Sequence, residues 1–242
     1  MDKVRPTTSS DVMNSLGFMV PRADLKPEVF DTAVQQKGYR MTWEQGMFCP
    51  CLNEGRSDYT CPSCGGKGYK YIRPTEIRAL VTSINGHKEQ EKIGLYDMGS
   101  AYLTPKSTDK VGFRDRFTFL DFTTKFSEVI TKGASGEPDT LRYPAIGVLA
   151  LFSLTDEYLV GQDFNLSEDG RSIEWIIEPL DEGEKYSVLY TMLPVYIAIN
   201  PVHELRGTYT TYRAGGIERF VSLPSQYQIK REDFLDDTFL QN

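Results

Sequence analysis

The sequence predicts a mainly β chain: an antiparallel β-sandwich or barrel with a short N-terminal helix and a small zinc-knuckle insertion. Three observations carry that expectation. From Arg40 onward, short strand-like runs are punctuated by Gly, Pro, Asn and Asp, as in antiparallel all-β folds. In RSIEWII, Ile173, Trp175 and Ile177 fall on one face, with Ser172, Glu174 and Ile176 on the other; period two marks a half-buried strand. No strand alternates with a long helix, which argues against a doubly wound α/β enzyme.

The elements follow in chain order. Residues 1–23 are polar and Ser/Thr-rich and read as an extended arm. DLKPEVFDTAVQQKGY is the helix: Pro27 suits a first turn, Leu25, Val29, Phe30, Ala33 and Val34 form one apolar stripe, and Gly38 sits at the C-cap. RMTWEQGMF then leads into a cysteine segment and GYKYIRPTEIRALVTSI leads out of it. SAYLTP, RFTFLDF, SEVIT, IGVLALFSL, EYLVGQDFNL, RSIEWII, KYSVLYTM, VYIAI, GTYTTYR and ERFVSL supply the later strands. The end, LPSQYQIKREDFLDDTFLQN, turns acidic and aromatic and reads either as a short helix or as a tail that packs on a neighbour. The expected segments are therefore an arm and helix over 1–40, a knuckle over 41–75, a β core over 76–230 and a tail over 231–242.

Composition limits the function classes. The 242 residues carry a formal charge of −7, whereas general nucleic-acid binders show a basic surplus. The first residues lack the apolar stretch of a secretion signal. The longest apolar run, Ala145 to Phe152, falls far short of the roughly eighteen residues that span a bilayer. The expectation is a soluble protein of a reducing cytoplasm, with no membrane partner. There, clustered cysteines hold metal more often than they form disulfides.

All four cysteines lie in CPCLNEGRSDYTCPSCGGKGY: Cys49, Cys51, Cys61 and Cys64, spaced C-x-C, nine residues, C-x2-C. Zinc takes four tetrahedral ligands, usually from two short knuckles joined by a loop. Cys61-Pro-Ser-Cys64-Gly-Gly is the stronger half, since glycines after the second cysteine let backbone N–H groups approach the sulfurs. Cys49-Pro-Cys51 is the tighter half, and its single intervening residue leaves open whether both sulfurs reach the same ion. Arg56, Lys67 and Lys70 lie close in sequence to offset thiolate charge. A structural zinc site is preferred to a Cys61–Cys64 disulfide or free thiols. A catalytic zinc would keep an open position, commonly beside histidine, and His87 and His203 are remote. The aromatic and basic flanks, including Lys67, Lys70 and Arg73, could stack on bases, yet three cations are a thin footprint. A rigid loop contacting another protein is the preferred reading.

Other chemistry finds no home. DFNLSEDGRSIE places Asp163, Asn165, Ser167, Asp169 and Glu174 at calcium-loop positions, but the glycine required at the sixth place is absent, so a β-hairpin turning at Ser-Glu-Asp-Gly is preferred. There is no nucleophile elbow, P-loop, dinucleotide fingerprint or H-E-x-x-H. The expectation is a non-enzyme with no catalytic residues and no organic cofactor.

Three local features then resemble structural proteins of tailed bacteriophages. They are the CPC…CPSCGGKGY pair after the Trp43 strand, the stretch RSIEWIIEPLDEGEKYSVLYTMLPVYIAI, and GIERFVSLPSQYQIKREDFL near the end. Together they cover about a third of the chain. The resemblance implies a virion component, a neck or head-to-tail connector protein assembled in the host cytoplasm as a homo-oligomeric ring. Its neighbours would be portal, connector or tail proteins, and DNA would pass through the channel without specific binding. A tail or baseplate component is the alternative. A zinc-knuckle module for nucleic acid or unfolded clients is the further one, because CPSCGGKGY is also similar to one unit of the cysteine-rich region in DnaJ-type chaperones.

Overall fold

A computed structural model of the chain describes residues 27–53, 57–58, 60–83, 99–177, 179–203, 206–211 and 218–235. The expected N-terminal arm, Leu25, Arg56, His87 and the last seven residues lie outside the described residues.

The helix forms where the apolar spacing places it. α1 (Pro27–Lys37) opens on proline, carries Glu28 in its first turn, and closes as the Gly38 N–H donates to the Val34 carbonyl at 2.8 Å. A Cβ on Gly38 would lie 2.4 Å from the Val34 oxygen and 3.0 Å from the Ala79 nitrogen, so only glycine lets the helix end press on the next strand but one. Of the expected apolar stripe, Val34 is buried, whereas Val29 and Phe30 are exposed. Asp31 holds the helix down by accepting from the Ser107 N–H at 2.7 Å and hydroxyl at 2.6 Å.

Six strands close a barrel: β1 (Tyr39–Phe48), β2 (Tyr69–Ser83), β3 (Ser100–Pro105), β4 (Arg116–Phe119), β11 (Val195–His203) and β14 (Gln226–Arg231). Their order around the wall is β1-β2-β3-β14-β11-β4, every pair antiparallel, and β4 returns to β1 through Met41↔Phe119 and Trp43↔Phe117. Closure leaves no unpaired edge. Alternate side chains fill the interior: Met41, Ala79, Leu103, Phe117, Ala198 and Ile229 are at most 1% exposed. Pro74 lies inside β2, where it is tolerated because the β1–β2 register shifts between Trp43 and Gln45 and Arg73 turns to φ 54°. Thus the mainly β, antiparallel fold is present, in its barrel form. The first part of the acidic-aromatic end is neither helix nor free tail. Tyr227 and Ile229 face the barrel core from β14, and a 3-10 turn (Glu232–Phe234) follows.

A second body occupies the connection from β4 to β11. It holds one sheet of β5 (Thr124–Thr131), β10 (Lys185–Met192) and β7 (Ala145–Phe152), and another of β6 (Asp139–Thr140), β9 (Ser172–Trp175) and β8 (Phe164–Leu166). Its own core contains Leu151, Phe164, Ile173, Tyr186, Val188 and Tyr190. The β8–β9 hairpin is the one expected at Ser-Glu-Asp-Gly. Gly170 takes φ 69°, and the Ser167 hydroxyl and Asp169 carboxylate are spent on the turn's own N–H groups. A two-stranded ribbon, β12 (Gly207–Thr211) with β13 (Glu218–Ser222), extends between β11 and β14.

Each body also ties its one tryptophan to a buried aspartate. Asp115 accepts from Trp43 Nε1 at 2.7 Å and from the Gly46 and Gly112 N–H groups. Asp139 accepts from Trp175 Nε1 and the Tyr186 hydroxyl, both at 2.8 Å, and from the Gly133 N–H. A buried carboxylate supplied with three donors is fully engaged, which offsets the cost of taking it out of water.

Candidate metal centre

The cysteine segment is the turn of the β1–β2 hairpin. The two strands pair down to Phe48↔Tyr69, where the rings meet at 5.1 Å, and the described residues 49–53, 57–58 and 60–68 lie beyond them. The Cys49 N–H donates to the Gly68 carbonyl at 2.8 Å, closing the base of the loop as one more rung.

Beyond that rung the loop is shaped by local hydrogen bonds rather than by apolar packing. The Leu52 N–H donates to the Cys49 carbonyl, the Gly65 N–H to the Cys61 carbonyl, and the Lys67 N–H to the Cys64 carbonyl. Ser57, buried, donates its hydroxyl to the Gly66 carbonyl and so joins the two halves. Gly66 and Gly68 take φ 82° and 74°, the left-handed conformation in which a side chain is strained. At Gly68 a Cβ would also meet Leu52 and Ser57 at 3.3 Å. The turn therefore needs the glycines that follow Cys64.

This backbone brings the four expected ligands together. The Sγ atoms of Cys49, Cys51, Cys61 and Cys64 all lie within 4.8 Å of one another. The close pairs run crosswise between the knuckles: Cys49 to Cys61 at 3.8 Å and Cys51 to Cys64 at 3.5 Å. Four thiolates at the usual ~2.3 Å bond length around one ion stand about 3.8 Å apart, so the cluster fits a single tetrahedral metal. A disulfide would need about 2.05 Å between sulfurs, and all four cysteines are free. The single residue between Cys49 and Cys51 does not split them between sites, because all four Sγ atoms lie within 4.8 Å of one another. The four cysteines could hold one metal ion.

The electrostatics suit thiolate chemistry. The Gly68 N–H points at Cys64 Sγ from 3.4 Å. Backbone N–H groups of Cys64 and Ser63 lower the Cys61 thiol to about 7 against desolvation. At Cys51 the Asp58 backbone hydrogen bond pulls downward, but burial and the three neighbouring thiols outweigh it and push the group up to about 12. Without a cation, Cys61 ionises readily and Cys51 resists following. A divalent ion would remove that conflict by attracting all four thiolates. Cys49, Cys61 and Cys64 are buried and Cys51 is half-buried, so the first three ligands are shielded from solvent.

Of the cations near the site in sequence, Lys70 is exposed and Lys67 is half-buried. Lys67 Nζ donates to Glu232 Oε1 at 3.1 Å, in the 3-10 turn after β14. Sequence reasoning did not reach Glu232; it lies 165 residues from its partner, and no local pattern marks it. Around it, Tyr71, the register partner of Gly46, stacks under Arg116 at 4.1 Å. Arg116 in turn donates to Glu44 at 2.8 Å. Phe48, Met47 and Phe113 are exposed at this end of the barrel, and the Arg114 guanidinium lies 4.4 Å over Tyr69 and 5.2 Å over Phe113. Among the described residues no helix is long and apolar enough to cross a membrane. No protein-family model matches the chain, and neither does any curated protein.

Proposed function

We propose that the chain is a structural component of a tailed-bacteriophage particle, a neck or head-to-tail connector subunit that forms a ring, and that its cysteines hold one structural zinc ion. The observation that carries the reading is the placement of a closed four-thiol site at the tip of a barrel hairpin. Four protein ligands leave no open position for a substrate or an activated water, so the metal acts as a cross-link. Zinc is the ion that suits an all-thiolate tetrahedron without redox chemistry. The pinned loop is a rigid projection rimmed by exposed Met47 and Phe48.

Assembly is supported by apolar surface elsewhere. Val129, Ile146, Leu149, Leu159, Val160 and Ile177 are each about half exposed or more on the second body, and Leu154 is fully exposed. Apolar surface on this scale, spread over one body, is what subunit contacts cover. A formal charge of −7 suits a ring whose channel passes DNA without gripping it, since Lys and Arg contacts produce binding.

The test measures metal content and particle size on the full chain purified without added metal. The expected result is about one zinc per chain, rings or higher oligomers by light scattering, and density for the chain in the neck of imaged particles. A monomer that binds nucleic acid in a salt-sensitive complex would overturn the virion reading in favour of a knuckle module. An ordered loop without metal would overturn the zinc assignment.

A further inference from the structure

We infer that the cysteine loop is the catch for the C-terminal strap, so that metal occupancy governs whether residues 232–235 stay seated on the barrel; this rests on the metal reading above. The strap crosses the outside of the wall. Leu235 is buried against Ile197 and Tyr71, and Phe234 occupies the space left by Gly99, where an added Cβ would lie 2.4 Å from the ring. Arg231 Nε donates to Asp233 at 2.6 Å, and the Arg231 N–H to the Gly99 carbonyl at 2.9 Å. These contacts hold the strap's rim.

Its centre depends on the loop. Glu232 is 0% exposed, Oε1 accepts from Lys67, and Oε2 makes no hydrogen bond among the described residues. Arg116 adds positive charge nearby, but its guanidinium Nε is given to Glu44 and its face to Tyr71. Lys67 thus hydrogen-bonds this buried carboxylate. Its backbone position is set three residues after Cys64: the N–H bonds the Cys64 carbonyl, and the flanking Gly66 and Gly68 are held by Ser57 and by Cys64 Sγ. When the sulfurs separate, Lys67 and Gly68 lose their Cys64 partners, and the Ser57–Gly66 bond and the Cys49–Gly68 rung are left to position Lys67 over Glu232. A buried charge that loses its partner is strongly destabilising, and the simplest relief is for the strap to lift and let the carboxylate reach water. Lifting would also release Leu235 from Tyr71 and Ile197.

Hydrogen–deuterium exchange on the full chain, followed by mass spectrometry, tests this. Zinc content is measured on the same samples, and residues 185–192 in the second body serve as the reference. Chelation is expected to speed exchange over 232–235 by at least about tenfold while 185–192 stays unchanged. Lys67→Met should give the same speeding with zinc still bound, and Lys67→Arg should restore protection. Glu232→Gln, which removes the charge, should make strap exchange insensitive to chelation. A sample with one zinc per chain whose strap keeps its protection on chelation overturns the coupling and leaves the metal reading intact. A chain with no metal and an ordered loop overturns both.

Discussion

The barrel and the cysteine loop are built on the same two strands, yet they are held together by opposite means. The barrel wall closes on Met41, Leu103, Phe117 and Ile229, all without solvent exposure. Among the described residues of the loop from Cys49 to Gly68, the buried apolar cluster is sulfur: Cys49, Cys61 and Cys64, with Cys51 packed alongside. Area-based burial at about 25 cal/mol per Å2 can hold the first. It cannot hold the second, whose order depends on hydrogen bonds and on whatever binds four thiols. One hairpin therefore has a base that folds with the domain and a tip whose order one bound metal ion could supply.

The sharpest way to break the contrast is to take the ligand away. Structural zinc in small thiolate loops contributes on the order of 10 kcal/mol to ordering them. Chelation, or Cys64→Ser, should open residues 49–68 to a protease while the far-ultraviolet circular dichroism and main thermal transition change little. Unfolding of the barrel together with the loop would show that the two are one cooperative unit.

The reverse perturbation is smaller and lands on the other side. Phe117 is fully buried between β1 and β11, paired with Trp43 and Tyr196. Phe117→Ala should cost about 3–5 kcal/mol of barrel stability, read from urea denaturation, through lost burial and the cavity left behind. Zinc content at low urea should stay at one per chain. A variant that folds but has lost its metal would mean the tip draws its geometry from the barrel core.

The same contrast decides what could be read from the sequence. Local patterns were legible. Pro27 and Gly38 bracket the helix, alternation in RSIEWII marks β9, and the spacing of Cys49, Cys51, Cys61 and Cys64 names the cluster, because each is written within a few residues. Long-range pairing was not. Nothing in RFTF says that β4 sits between β1 and β11, or that residues 124–192 gather a separate core before the chain returns to the wall. The outward direction of Val29 and Phe30 was likewise hidden, since an apolar stripe on a short helix does not say which part of it finds a wall. Glu232 was invisible for the same reason, because its meaning lies in Lys67.

Acidity offers the finest separation, because the two regions respond to it with opposite signs. Burial, then hydrogen bonds to Asp139 and Glu128, raise the phenols of Tyr186 and Tyr190 above their ordinary value. Burial chiefly does the same to Tyr143, and in the barrel to Tyr71 and Tyr196. A group whose folded value lies above its unfolded one adds stability below the unfolded value, near 10, and loses it as pH rises further. Each such tyrosine should remove about 1.4 kcal/mol per pH unit above that point. Three lie in the second body and two in the barrel, so the second body should loosen first in alkali, seen as tyrosinate absorbance rising with exchange at 185–192. The proposed metal site would move the other way: with thiolates as ligands, binding would strengthen as pH rises and fail in acid, when protons compete for sulfur. Acid should therefore release zinc and open residues 49–68 with both β bodies folded. Zinc release at alkaline pH ahead of tyrosine ionisation would contradict this, because it would require the thiolate tip to weaken under the condition that favours its ligands.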